Sequence, residues 1–181
     1  NFEFIIHGAT TTAQETYNSQ DPFEKISILI DGTLRVLNFA KKTNCKNFLF
    51  LSSGAAYGNR ERNIKFKESI SSAPYTNDIN FDVSVLGEAK RSAETLLTIF
   101  SKQNKCKTNV ARCFSFVGPF MPLDIHYAAG NFLKDAIIKK KIKINGNPNT
   151  VRSYMYFADL AVCLWRILLI GRNREIYNVG S

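Results

Sequence analysis

The sequence predicts an α/β fold, a mostly parallel sheet covered by helices on both faces. Three observations carry that prediction. Short apolar runs at residues 2–7, 47–51 and 108–114 alternate with two longer stretches of helical periodicity, giving strand, helix, strand, helix, strand. Each connection between runs is long enough to hold a helix, which parallel neighbours require and hairpins do not. The 181 residues, 45% hydrophobic and 22% charged, suit one domain with one sizeable core, and 10 Gly with 5 Pro exclude collagen-like and low-complexity chains.

Taken in order, Phe2 to His7 is a short apolar strand that starts without an initiator Met, so the chain is expected to begin inside a larger fold. Residues 22–42 place Ile26, Ile30, Leu34, Leu37 and Ala40 on one side of a helix. Asn47 to Leu51 is the second strand. A turn-rich segment with Gly54, Gly58 and Pro74 leads to a long helix over about 78–102, and Thr108 to Phe114 forms the third strand. Beyond it, Gly118-Pro119 precedes a helix near 128–140, a short strand at 142–144 and a turn at 146–149. Residues 151–157 read as a strand, Asp159 as the cap of a helix reaching about Leu169, and Ile176 to Val179 as a last strand.

The charge balance, 24 basic against 15 acidic residues for a net +9, favours anionic ligands without choosing among them. Its densest run, Lys139-Lys140-Lys141-Ile142-Lys143, carries no interleaved aromatic platform and reads as a solvated helix end rather than a nucleic-acid grip. Cys45, Cys106, Cys113 and Cys163 are widely spaced with no CxxC pair, which fits neutral thiols in a reducing, cytoplasmic setting better than a disulfide scaffold or a zinc site. The apolar stretch from Leu160 to Gly171 is interrupted by Arg166 and is too short to span a bilayer. The two histidines, His7 and His126, suggest no metal site, and no HExxH, EF-hand or phosphate-loop motif is present.

Open parallel sheets bind ligands at the carboxyl ends of their strands. Those positions carry His7-Gly8-Ala9-Thr10-Thr11, then Ser52-Ser53-Gly54-Ala55-Ala56-Tyr57-Gly58, then Ser115-Phe116-Val117-Gly118-Pro119. Small residues there admit a flat ligand to the backbone and hydroxyls orient it; ordinary turn chemistry accounts for the same residues.

Together with Asp31-Gly32-Thr33, Gly87-Glu88-Ala89-Lys90-Arg91-Ser92-Ala93-Glu94, Ala111-Arg112-Cys113-Phe114, Arg152-Ser153-Tyr154 before Asp159-Leu160-Ala161, and Tyr177-Asn178-Val179-Gly180, these segments resemble the extended short-chain dehydrogenase/reductase family, specifically its NAD-dependent nucleotide-sugar epimerase/dehydratase group. The resemblance implies a Rossmann-like doubly wound parallel sheet whose amino-terminal part, with the dinucleotide glycine loop, precedes Asn1, and part of a small substrate-binding lobe. The implied division is 1–114 for an incomplete dinucleotide-binding domain, 115–150 for part of the lobe, and 151–181 for the return to the sheet.

The resemblance also implies roles. Ser53 matches the catalytic hydroxyl residue and Lys90 the lysine of the Tyr-x-x-x-Lys pair. Leu86 replaces that tyrosine and can neither donate nor accept a proton. Read without the family, Leu86, Ala89, Ala93, Leu97 and Phe100 make an apolar helix face and Lys90 a snorkelling lysine. The implied cofactor is NAD or NADP, NAD favoured, held by His7, Gly8, Ala9, Ser52, Lys90 and Phe114. The implied substrate is a nucleotide sugar, held by Ser53, Ser115, Asn131 and Arg152, with Tyr57 and Tyr75 as the nearest substitute phenols. A homodimer through the two long helices is implied, with neither nucleic acid nor membrane as partner. Three classes stay open: an enzyme of this group, a catalytically silent binding homologue, and a structural or interaction protein.

Overall fold

A computed structural model describes residues 2–10, 21–58, 65–70, 82–125, 127–144 and 147–181, without the side chains of 82–84. Four parallel strands, β1 (Phe4–His7), β2 (Asn47–Ser53), β3 (Lys107–Cys113) and β6 (Glu175–Val179), form a sheet of order β1-β2-β3-β6. Register runs Phe4 to Asn47, Asn47 to Lys107, and Asn109 to Glu175. Two further parallel strands, β4 (Phe116–Val117) and β5 (Met155–Tyr156), pair apart from it.

Alternation along β2 sends Phe48 and Phe50 to one face and Leu49 and Leu51 to the other. The first face is covered by α1 (Pro22–Lys42) and α2 (Asp82–Gln103): Leu37, Ala40, Ala93, Leu97 and Phe100 close over Phe48, Phe50 and Val110. The second is covered by α4 (Phe157–Ile170), whose Ile167 and Leu168 pack on Leu49, Ala111 and Val179. The sheet is therefore wound on both faces.

Local chemistry explains the boundaries. Asp21 Oδ1 accepts from Phe23 N at 3.1 Å and Pro22 opens α1, a cap and a proline at the one turn where its missing N–H costs nothing. Leu29, Thr33, Leu37 and Ala40 then form its buried stripe. The exposed carbonyls at the end of α4 are taken by side chains from the sheet: Asn109 Nδ2 donates to Ile167 O, Asn47 Nδ2 to Leu168 O and Lys107 Nζ to Leu169 O.

Several sequence expectations are corrected. The alternating Ile142-Lys143-Ile144 forms no strand: both isoleucines are exposed, at 48% and 59%, and none of the described residues pairs with them. Of 151–157 only Met155–Tyr156 is strand. Asp159 does not cap α4; Tyr156 precedes its first turn and Asp159 lies inside that turn, where a carboxylate suits the helix dipole. The helix near 128–140, α3 (Ala128–Ile137), stops short of 140, and Lys139 has a positive φ of 54°. The expected positions of His126 and Tyr75 lie outside the described residues.

Candidate active site

The carboxyl ends of β2 and β3 gather the polar chemistry. Ser53 closes β2, and its Oγ accepts from Ala55 N at 3.2 Å, capping a single 3-10 turn, Gly54–Tyr57. The hydroxyl hydrogen is left to point elsewhere. Lys90, on the sheet-facing side of α2, is 4% exposed; its Nζ donates to Leu51 O at 2.8 Å and lies 4.8 Å from the centre of the Phe50 ring. Burial pushes its pKa down to about 8, opposed by Cys113 and Glu94. Leu86, one turn earlier on α2, is half-buried and brings no polar atom.

Around this point a buried network braces the strand ends. Glu94, four residues after Lys90, accepts from Ser52 Oγ at 2.5 Å and from Arg112 Nε and Nη2 at 3.0 and 2.7 Å. The Arg112 guanidinium stacks 4.3 Å above the centre of the Tyr57 ring. Tyr57 OH donates to Asn178 Oδ1 at 2.8 Å, and Asn178 Nδ2 donates to Phe66 O at 3.0 Å, so β6 and the segment 65–70 are tied to the same cluster. Sequence reasoning missed the pairing of Glu94 with Arg112. The signal was an arginine within an interior strand, near its carboxyl end, which demands a buried counter-charge.

Phe114 joins this centre to a cavity of about 590 Å³ lined also by Ser115, Tyr127, Arg152, Tyr154 and Phe157. A Cβ on Gly54 would stand 2.8 Å from the Phe114 ring, so only glycine lets the 3-10 turn lie this close to it. Ser115 and Arg152 thus share a wall with Phe114, while Ser53 and Lys90 stand on the strand-end side. Asn131 is half-buried on α3 and is not part of the wall, which α3 supplies through Ala128 and Ala129.

Gly8 and Ala9 are exposed just past β1. The remaining two positions look away from the cleft. His7 is buried between Phe48 and Phe50, with Nε2 3.2 Å from Thr33 Oγ1. Thr33 spends its hydrogen on Leu29 O, so His7 Nε2 is the donor and the ring is the Nε2–H tautomer. Ser52 spends its hydroxyl hydrogen on Glu94, which leaves its backbone as the part nearest any ligand. Among the described residues no three His, Cys, Asp or Glu side chains cluster for a metal ion, and no helix is long and apolar enough to cross a membrane.

Known proteins are similar to this chain in sequence and fold. UDP-glucuronic acid decarboxylase 4 of Arabidopsis thaliana is 27% identical over 178 residues, covering 97% of this chain and 38% of the relative. UDP-glucose 4-epimerase of Thermotoga maritima, solved with UDP-glucose, superimposes with a TM-score of 0.78 at 26% identity, covering 99% of this chain and 55% of that one. RMD from Pseudomonas aeruginosa, solved with NADPH, superimposes with a TM-score of 0.78 at 25% identity, covering 99% and 60%. The chain thus spans about 40 to 60% of the length of these proteins. The profile of the NAD dependent epimerase/dehydratase family matches residues 1–180, and the chain belongs to that family.

Proposed function

We propose that this chain carries the reaction centre of a nicotinamide-dinucleotide enzyme acting on a nucleotide sugar, with Leu86 standing where the acid/base phenol of that chemistry belongs. The observation that carries the reading is the placement of Lys90 Nζ at Leu51 O, at the end of the strand that closes with Ser53, beside a cavity walled by Ser115 and Arg152.

The residues fit the ligands. A buried ammonium suits the vicinal hydroxyls of a ribose, and at a pKa of about 8 it stays mostly protonated near neutrality. Exposed Gly8 and Ala9 leave the end of β1 open to the dinucleotide, NAD being favoured over NADP. When bound, the nicotinamide supplies a hydride acceptor and donor for a sugar carbon. Ser53, with its oxygen held by Ala55 N, presents its hydrogen to the reacting sugar oxygen. The exposed fork of Arg152 pairs with the diphosphate, and the cavity past Phe114 takes the remainder of the substrate. On this reading 1–114 and 151–181 serve the dinucleotide sheet and 115–150 the substrate lobe. A homodimer belongs to the same proposal, supported by exposed Phe23, Ile26 and Leu34 on α1 and Ile99 on α2.

Proton transfer is the step these residues do not supply. The Tyr57 hydroxyl is engaged by Asn178 and its ring is roofed by Arg112, which does not recommend it as the substitute acid. Leu86 therefore favours a second reading, a homologue that binds the same ligands without turnover. Calorimetry on the full-length protein with NAD⁺, NADP⁺ and a panel of nucleotide sugars tests what both readings share. Lys90→Met is expected to weaken dinucleotide and Arg152→Ala nucleotide sugar, each roughly 10-fold or more. Wild-type protein that binds neither ligand leaves a structural or interaction role.

A further inference from the structure

Cys45 and Cys106 stand just before adjacent strands, offset by one residue. Cys45 stands two residues before Asn47 and Cys106 one residue before Lys107, the pair that opens the β2–β3 ladder. Lys107 N donates to Lys46 O at 2.8 Å and draws the two entry points together. The thiols are 4% and 5% exposed and belong to one apolar cluster, among Leu37 and Ala40 of α1 and Leu97 and Phe100 of α2. Each sulfur donates to a backbone carbonyl at the entry of its own strand, Cys45 Sγ to Asn47 O at 3.2 Å and Cys106 Sγ to Lys107 O at 3.7 Å. Both sulfurs lie at the amino ends of their strands, away from Ser53 and Lys90, and take no part in the proposed chemistry. Cys113 and Cys163 pack on the opposite face of the sheet, against α4, so neither competes as a partner.

We propose that Cys45 and Cys106 are an oxidative modification site, converted by hydrogen peroxide into an intrachain disulfide that clamps the entry ends of β2 and β3. The neighbouring Cys106 thiol draws Cys45 below its ordinary pKa, while Cys45 and burial push Cys106 up, so Cys45 is the first sulfur to attack. Cys45 thiolate attacks one peroxide oxygen; an S–O bond forms, the O–O bond breaks, and the departing hydroxide leaves as water with the Cys45 proton. Cys106 sulfur then attacks the sulfenic sulfur; the S–S bond forms, the S–O bond breaks, and a second water carries away the Cys106 proton. Two thiols lose two electrons and one peroxide gains them. The small, uncharged oxidant suits a pair this deeply buried. The cross-link closes a loop of roughly 60 residues containing Ser53 and Lys90, and restricts the unfolded chain accordingly.

The test treats reduced, folded full-length protein with hydrogen peroxide, alkylates it, and digests it without reductant. The expected product is a Cys45–Cys106 linked peptide pair at the mass of the two thiol peptides less two hydrogen atoms. The thermal midpoint is expected to rise by roughly 5–15 °C and to return on adding dithiothreitol. Cys106→Ser, with Cys106→Ala as the apolar alternative, stops the reaction at a dimedone-reactive Cys45 and removes the rise. Native protein whose Cys45 and Cys106 stay alkylatable while Cys113 or Cys163 oxidises overturns the proposal, as does a linked pair that forms only in urea or leaves the midpoint unmoved. The mass readout needs no variant, so a poorly folding substitution does not blunt it.

Discussion

Glu94 and Arg112 form a buried, two-pronged ion pair that bridges α2 to the carboxyl end of β3, with N···O separations of 3.0 and 2.7 Å. It sits one turn beyond Lys90 and shares its carboxylate with Ser52. A charge removed from water keeps its place only while its partner remains, so Glu94→Leu strands the guanidinium and is expected to cost about 3–5 kcal/mol in urea denaturation. The double variant Glu94→Leu with Arg112→Met is expected to recover most of that loss. Two single losses that simply add in the double variant contradict the pairing.

His7 gives an acid-range prediction. Burial, assisted by the nearby Lys90 charge, pushes its pKa down to about 4, against 6.5 for an ordinary imidazole. Between those values the unfolded chain binds more protons than the folded one, so stability falls as pH is lowered from 6.5 to 4. The loss is about 3 kcal/mol. His7→Gln is expected to flatten this part of the stability curve, and Lys90→Met to move the imidazole titration, followed by NMR, to higher pH.

Lys90 acts in the alkaline range. Its folded pKa of about 8 lies below the ordinary 10.5, so from pH 8 to 10.5 the unfolded chain again holds more protons and this group's contribution to stability rises with pH. Below pH 8 the buried ammonium is carried at a cost of about 3 kcal/mol. Measured against Lys90→Met in urea, wild-type protein is expected to gain about that much between pH 8 and 10.5. A pH-independent difference contradicts the burial of a charged Lys90.

The approach of Gly54 to Phe114 is tested by adding one methyl group. Gly54→Ala places carbon 2.8 and 2.9 Å from atoms of the Phe114 ring, and is expected to destabilise by about 1–3 kcal/mol. Phe114→Leu is expected to relieve part of that penalty, seen as a favourable coupling in a double-mutant cycle.

How much of this was legible in the sequence varied with how local the cause was. The extent of the helix over 22–42 was readable, but its face only in part: Leu37 and Ala40 are buried as expected, whereas Ile26 and Leu34 are exposed and Leu29 and Thr33 take the inner side. The alternation at 142–144 looked like a strand, yet a strand needs a neighbour, and no pattern within three residues reveals whether one exists. Lys90 was singled out by its motif, but its burial and lowered pKa follow from Phe50 and Leu51 closing around it across the sheet. His7 and Ser52 stand at the carboxyl ends of β1 and β2, while their side chains are drawn inward by Thr33 and Glu94, partners 26 and 42 residues away. Long-range pairings of this kind are invisible to periodicity.

The proposed reaction centre stands at the end of β2 with its phenol replaced by Leu86. It is tested most directly by nucleotide-sugar turnover in the full-length Leu86→Tyr protein beside wild type, with NAD⁺ and NADP⁺ supplied and dinucleotide binding measured in both. The account predicts equal binding and a rise in turnover on the order of 100-fold or more in Leu86→Tyr. Equal turnover in the two proteins, or none in either despite bound dinucleotide and nucleotide sugar, contradicts it.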